Sequence, residues 1–192
     1  MKVVLINTRE ATDRLEKVKV EMDKTFLEYE LVYALPTVEL ETERGGWTKG
    51  ADSLRRTTIE IVKKALEENE TLWIWEDDCV IDKNLFEMFT RDFPLLKSYH
   101  FIHLAHHPTG NFSHRNTGCF RKTLSGVYNC QSYIISPIIM KEYIKMLERP
   151  VPIDQSTKDL HKKYQNSYIV EPSPVSHNTG EFSTIRQKIV DY

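Results

Sequence analysis

The stretch 71-TLWIWEDDCVID-82 decides the fold. Four large apolar residues, Leu72 to Trp75, run straight into three acids, Glu76, Asp77 and Asp78, before Val80 and Ile81 resume the apolar character. A continuous apolar run of this length, without alternation, reads as a strand covered on both faces. Three carboxylates packed at its end repel one another unless a metal, a basic partner or solvent relieves them.

Working outward, other short apolar runs repeat the pattern. Residues 2–6, 29–34, 101–105, 131–136 and 167–170 read as further strands. Between them lie segments with helical periodicity. One runs from Thr12 or Asp13 to about Phe26, with Leu15, Val18, Met22 and Phe26 on one face. A second opens at Asp52 or Ser53 and ends near Asn69, and shorter ones cover 84–91, 137–148 and 154–164. Residues 36–50, with Gly45, Gly46 and Gly50, have loop chemistry, as do 106–124 and the tail from Glu171. Strands alternating with helices predict a single α/β domain over residues 1–192, with a mixed, mainly parallel sheet flanked by helices.

Composition narrows the class. The chain has 192 residues, 40% hydrophobic and 28% charged, which is long enough for a sizeable core. A net charge of −2 gives no overall pull toward nucleic acid or anionic membrane. The three cysteines, Cys79, Cys119 and Cys130, have no CxxC spacing, which argues for a reducing compartment. The opening 1-MKVVLINTRE-10 has no signal-peptide pattern, and no run approaches the ~18 apolar residues of a membrane span. A soluble, cytoplasmic protein is the expectation.

In open α/β sheets, ligands bind beyond the carboxyl ends of the strands. Glu76, Asp77 and Asp78 close such a strand. Hard divalent cations, Mg²⁺ or Mn²⁺, take oxygen ligands and bridge phosphates to one or two carboxylates. The triplet therefore reads either as a metal–diphosphate site or as a solvated acidic turn. No GxxxxGK[ST] and no GxGxxG is present, so neither a P-loop nor a dinucleotide-binding fingerprint accounts for it.

Four segments then occur in a telling order. They are 4-VLINTREATDR-14; 50-GADSLRRTTIEIVKKAL-66 with 72-LWIWEDDCVI-81; 126-GVYNCQSYIISPIIMKEYIKML-147 with 151-VPID-154; and 172-PSPVSHNTGEFSTI-185. Together they resemble glycosyltransferase family 25, the lipopolysaccharide-type and collagen-modifying galactosyltransferases with a GT-A-like, Rossmann-related fold. One departure stands out: Ser53 is followed by Leu54, where the family has a Ser-His pair.

The resemblance implies a hexosyltransferase that moves a sugar from a UDP-sugar donor to a hydroxyl of a glycan, lipid-linked glycan, protein or modified nucleic acid. It implies Mn²⁺ or Mg²⁺ held by Asp78, with His177 brought back beside it. Glu76 and Asp77 would touch the nucleotide or orient the ligands. Asn7, Thr8, Arg9 and Arg14 after the first strand, and Ser53 in the second helix, would meet the donor. Lys49, Arg55 and Arg56 offer cations to a departing diphosphate, or else form a solvated basic face. Asp154 reads by position as a helix cap. The resemblance makes it the general base of an inverting transfer.

The run 103-HLAHHPTGNFSH-114 fits no zinc spacing, so His103 belongs to a strand, while His106 and His107 are candidates for the acceptor side. Trp47, Trp73 and Trp75 could stack on a sugar, but Trp73 and Trp75 share one strand face and read more simply as core. Two rival functions stay open. One is a catalytically idle nucleotide- or carbohydrate-binding module, and the other is a metal-dependent nucleotidyltransferase.

Overall fold

In the computed structural model of the chain, residues 1–40, 47–106, 111–128, 130–177, 182–183 and 188–189 are described, and the side chains of Arg115 and of residues from 177 onward are not. In chain order the elements are β1 (Lys2–Asn7), α1 (Thr12–Asp23), β2 (Glu30–Tyr33), α2 (Lys49–Glu67), β3 (Leu72–Glu76), β4 (Cys79–Ile81), α3 (Lys83–Asp92) and β5 (Phe101–His103). They continue with β6 (Phe112–Thr117), β7 (Phe120–Thr123), β8 (Ser132–Ile135), α4 (Pro137–Leu147), α5 (Ile153–Lys163), β9 (Ser167–Val170) and β10 (Val175–His177).

Eight strands form one mixed sheet in the order β2-β1-β3-β8-β5-β9-β7-β6. β1 is parallel to β2 and β3, and β5 is parallel to β9. β8 is antiparallel to both β3 and β5, and β7 to both β9 and β6. Only β8 and β7 are therefore reversed, and six strands share one direction. The reversal of β8 has a consequence. Its N-terminal end, at Gln131 and Ser132, lies beside the carboxyl end of β3, where Trp75 pairs with Ser132.

Alternation along the strands sorts side chains to two cores. Val3, Leu5, Trp73, Trp75 and Ile102 face α1 and α3. Val4, Ile6, Ile74, Phe101, Tyr133 and Ile135 face α2, α4 and α5. Each central strand thus buries both faces, which is why its sequence is apolar without a break. Trp73 and Trp75 are fully buried and stack at 5.2 Å, with Phe86 at 5.8 Å from Trp73. They are core, as their shared face predicts. Stacking of this kind adds about 0.5–1.5 kcal/mol per pair beyond area burial.

Several boundaries differ from the sequence reading. α2 starts at Lys49 because Thr48 caps it, its hydroxyl accepting from Ala51 N at 3.2 Å. Gly50 is therefore in the first turn of a helix and is no breaker. α1 ends at Asp23, and Phe26 lies beyond it with φ 55° and 86% exposure. The helix is already over when the apolar period reaches Phe26. Residues 112–123, expected as loop, are the hairpin β6–β7. Its tight turn uses Gly118 at φ 59°, and Asp92 Oδ2 accepts from Cys119 N at 2.9 Å. β10, from the expected loop-like tail, pairs antiparallel with β4. Among the described residues, no helix is long and apolar enough to cross a membrane.

Candidate functional site

β1, β3 and β5 all end at one edge of the sheet, joined there by the start of the reversed β8. Helices α1, α2 and α5 each follow or precede an upward strand, so their N-termini lie at this same edge. The candidate residues come from these ends.

Glu76 closes β3, and its backbone N–H donates to Gln131 O at 2.8 Å. The residue as a whole is partly exposed, but its carboxyl end is buried, and its pKa is pushed well above the usual carboxylate range. Burial is the main cause, followed by the negative charges of Asp78 and Asp154, and Arg14 offsets this only in part. Glu76, Asp78 and Asp154 thus lie in one electrostatic field, although Asp154 is 76 positions beyond Asp78. The Cys130 thiol, just before β8, feels the same neighbour. Burial first, and then Asp154, raises its pKa.

Asp154 is not the cap of α5. Pro152 occupies the N-cap position with no capping side chain, and Asp154 lies in the first turn. The helix-cap expectation is corrected: a proline at the cap leaves the carboxylate of Asp154 outside the capping geometry.

Asp77 turns the other way. It is 7% exposed and bonds to Arg14 of α1. This ties the first helix to the end of β3. An open depression of about 420 Å³ beside the turn is bordered by Lys17 and Glu21 of α1 and by Asp77 and Asp78. Solvent therefore reaches the acidic turn from the α1 side.

The β1 end presents Asn7 and Thr8. Asn7 is 2% exposed and donates from Nδ2 to Thr8 O at 2.8 Å. Its Oδ1 and the Thr8 hydroxyl have no hydrogen-bond partner among the described residues. Buried acceptors in this state cost free energy until something donates to them. Arg9, which is exposed, lays its guanidinium 4.8 Å over the Tyr33 ring at the end of β2.

The remaining donor-side residues are engaged within the protein. Ser53 is buried and donates to Leu35 O, fixing the segment after β2. Arg55 bonds through Nη2 to Asp52 Oδ1 at 2.7 Å and through Nη1 to Leu147 O at 2.8 Å, with its guanidinium 5.3 Å from the Trp47 ring. Arg56 Nε takes the other Asp52 oxygen at 2.7 Å. Burial alone would raise the Asp52 pKa, but the hydrogen bonds from Arg55 and Arg56 outweigh it and hold the pKa below the ordinary value. Lys49 pairs with Glu39 at 2.6 Å. The sequence offered Asp52 only as a helix start, yet 52-DSLRR-56 carries the signal of its ion pairs. Arginines three and four positions after an acid face it across one helical turn.

His177 is the last residue of β10, and its backbone pairs with Cys79, next to Asp78. Its side chain is outside the described residues, as is the whole of His107. His103 is buried on the α5 side of the sheet, its Nε2 2.7 Å from His161 Nε2. His106 Nε2 is bonded to Val170 O at 3.1 Å, and His114 is exposed.

Among the described residues, no three His, Cys, Asp or Glu side chains form a closed metal cage. The donor set at the β3 end is nonetheless hard, made of carboxylate oxygens. A cation completed by substrate phosphates needs only one or two protein carboxylates.

No protein-family model and no curated protein matches this chain. Among solved structures it is similar to the crystal structure of a glycosyltransferase involved in the glycosylation of the major capsid of PBCV-1. That likeness has 16% identity and a TM-score of 0.48, over 89% of this chain and 81% of the other. It is also similar to the crystal structure of A197 from STIV, at 14% identity and a TM-score of 0.44, over 100% and 95% of the two chains. Neither likeness assigns an activity or a residue role here.

Proposed function

We propose that the protein is a metal-assisted glycosyltransferase with a GT-A-like fold, moving a hexose from a UDP-sugar to an acceptor hydroxyl with inversion. One observation carries this reading. Glu76 and Asp78 from the end of β3 and Asp154 from the first turn of α5 share one field at the carboxyl edge of the sheet. That arrangement offers an acidic anchor on one element and a separate carboxylate on another. A transferase of this type needs both, one for the donor diphosphate and one for the acceptor proton. The ordered motifs that resemble glycosyltransferase family 25 support the same assignment.

In this reading the end of β1 receives the nucleotide. Asn7 Oδ1 and the Thr8 hydroxyl accept from the uracil N–H or a ribose hydroxyl and so gain the partners they lack. Asp78, with His177 beside it in the β4–β10 pairing, would hold Mg²⁺ or Mn²⁺. When bound, that ion supplies positive charge to the departing diphosphate. Glu76 stays in the second rank, oriented through its backbone bond to Gln131. Asp77 keeps α1 in place through Arg14. Asp154 takes the proton of the acceptor hydroxyl as that oxygen attacks the anomeric carbon.

One observation favours a second reading, the idle binding module. Lys49, Arg55 and Arg56, the cations expected at the diphosphate, are each paired with a carboxylate of the protein. Calorimetry with UDP, with and without Mn²⁺, addresses the donor site directly. Mn²⁺-dependent binding that disappears in Asp78→Ala is expected. Binding that ignores both Mn²⁺ and Asp78→Ala would remove the ligand assignment. A preference for nucleoside triphosphates over UDP in a thermal-shift panel would favour nucleotidyl transfer instead.

A further inference from the structure

Between β7 and β8, the described residues 124–128 and 130–131 carry an exposed aromatic ring to which no role has yet been given. Gly126 lies against the α5 backbone at Lys158; a Cβ there would come within 2.9 Å of Lys158 Cα. The close approach docks the segment on α5. Val127 is buried at 1%, and Tyr128 turns outward at 37% exposure. Cys130 is buried again, with its Sγ 3.6 Å from Thr157 Oγ1 on α5. Gln131 O then accepts from Glu76 N. The described residues 126–128 and 130–131 therefore lie between Lys158 of α5 and the end of β3.

Tyr128 is held in its outward pose by one side chain, that of Lys158. Lys158 Nζ bonds to its hydroxyl, and the same ammonium lies 4.5 Å from the ring centroid. Lys158 is four positions after Asp154 in α5, so the two project from one face of the helix. The lysine that props the exposed ring thus sits about one helical turn from the carboxylate proposed as base.

From this geometry we infer that Tyr128 is one wall of the acceptor site and that the acceptor is a pyranose. The inference rests on the transferase reading above. A pyranose has an apolar face of C–H bonds that packs on an aromatic ring, and hydroxyls at its edge. Stacked on Tyr128, the sugar directs one hydroxyl toward Asp154, while Lys158, a donor only, is left to the ring oxygen or a neighbouring hydroxyl. A flexible aliphatic or peptide hydroxyl offers no such flat face. Among the acceptors left open by sequence, glycans and lipid-linked glycans offer this face, and a bare protein hydroxyl does not.

The test uses methyl β-D-galactopyranoside and methyl β-D-glucopyranoside as acceptor probes. Tyr128→Ala is expected to raise the acceptor KM about tenfold or more while leaving UDP affinity and acceptor-free UDP-sugar hydrolysis unchanged. Tyr128→Phe, which keeps the stacking face, is expected to remain within about twofold of the wild type. An unchanged acceptor KM in Tyr128→Ala would overturn the assignment, as would glycerol serving as well as either glycoside. If the wild type hydrolyses no UDP-sugar, the transferase reading fails by itself. The sugar site is then judged by saturation-transfer NMR with the same glycosides. Contact in the wild type that is lost in Tyr128→Ala upholds it, and no contact in the wild type rejects it.

Discussion

At the scale of single residues, the acidic run divides its labour. Asp77 is bonded to Arg14, whereas the charges of Asp78 and Asp154 act on Glu76. The side chains of Asp77 and Arg14 are 7% and 17% exposed, so removing one charge strands the other in a poorly hydrated place. Arg14→Met is expected to cost about 3 kcal/mol in urea unfolding, and the double variant with Asp77→Asn should recover part of that. A loss within about 0.5 kcal/mol for Arg14→Met would show the pair to be as weak as a surface ion pair. The triplet itself was legible as an oddity in need of a counter-charge. Which acid met which partner was not, because Arg14 and Asp154 are distant in sequence and come close only through the fold.

At the scale of elements, legibility followed burial. β1, β3, β8 and β9 are central or doubly covered, and unbroken apolar runs announce them. β6 and β7 form the outer edge of the sheet, and 112-FSHRNTGCFRKT-123 alternates too weakly to betray strands with one solvated face. Their one local clue is Gly118, whose φ of 59° the turn requires. A Cβ there would also lie 2.6 Å from Asp92 Oδ2, the group that caps the turn. Gly118→Ala is therefore expected to lower stability by about 1–2 kcal/mol, through strain and displacement of Asp92, as read by thermal unfolding. α2 starts before the expected Asp52 or Ser53 because Thr48 caps it, and Gly50 is held within its first turn. Thr48→Ala should cost about 1 kcal/mol in the same experiment.

At the scale of the whole molecule, the second core is polar where α5 meets the sheet. His161 is buried, its Nδ1 2.8 Å from Ser167 Oγ and its Nε2 2.7 Å from His103 Nε2. Burial pushes its pKa down to about 3, with the charge of His100 adding to the effect. The unfolded chain binds this proton near pH 6.5 and the folded chain does not, so stability falls as pH drops from about 6.5 toward 3. The full slope for one such group is about 1.4 kcal/mol per pH unit. Glu76, whose pKa is raised, contributes in the opposite sense, so the effect is best read as a difference. Wild type minus His161→Gln, by urea unfolding between pH 7 and pH 5, should lose stability on acidification. A flat difference would place the His161 pKa near its ordinary value.

The two-sided core also explains how distant motifs come to one edge. Strand ends and helix starts were legible in the sequence, and the resemblance implied the return of His177, but β10 was expected as loop. The reversal of β8, which brings Cys130 alongside β3, had no signature in composition or period. The account stands or falls on turnover. Purified protein is incubated with a panel of UDP-hexoses and Mn²⁺, and release of UDP is measured. The expected result is UDP release from at least one UDP-hexose, abolished by chelation and reduced at least about a hundredfold in Asp78→Asn. No release from any UDP-hexose, or release that persists undiminished in Asp78→Asn, would contradict it.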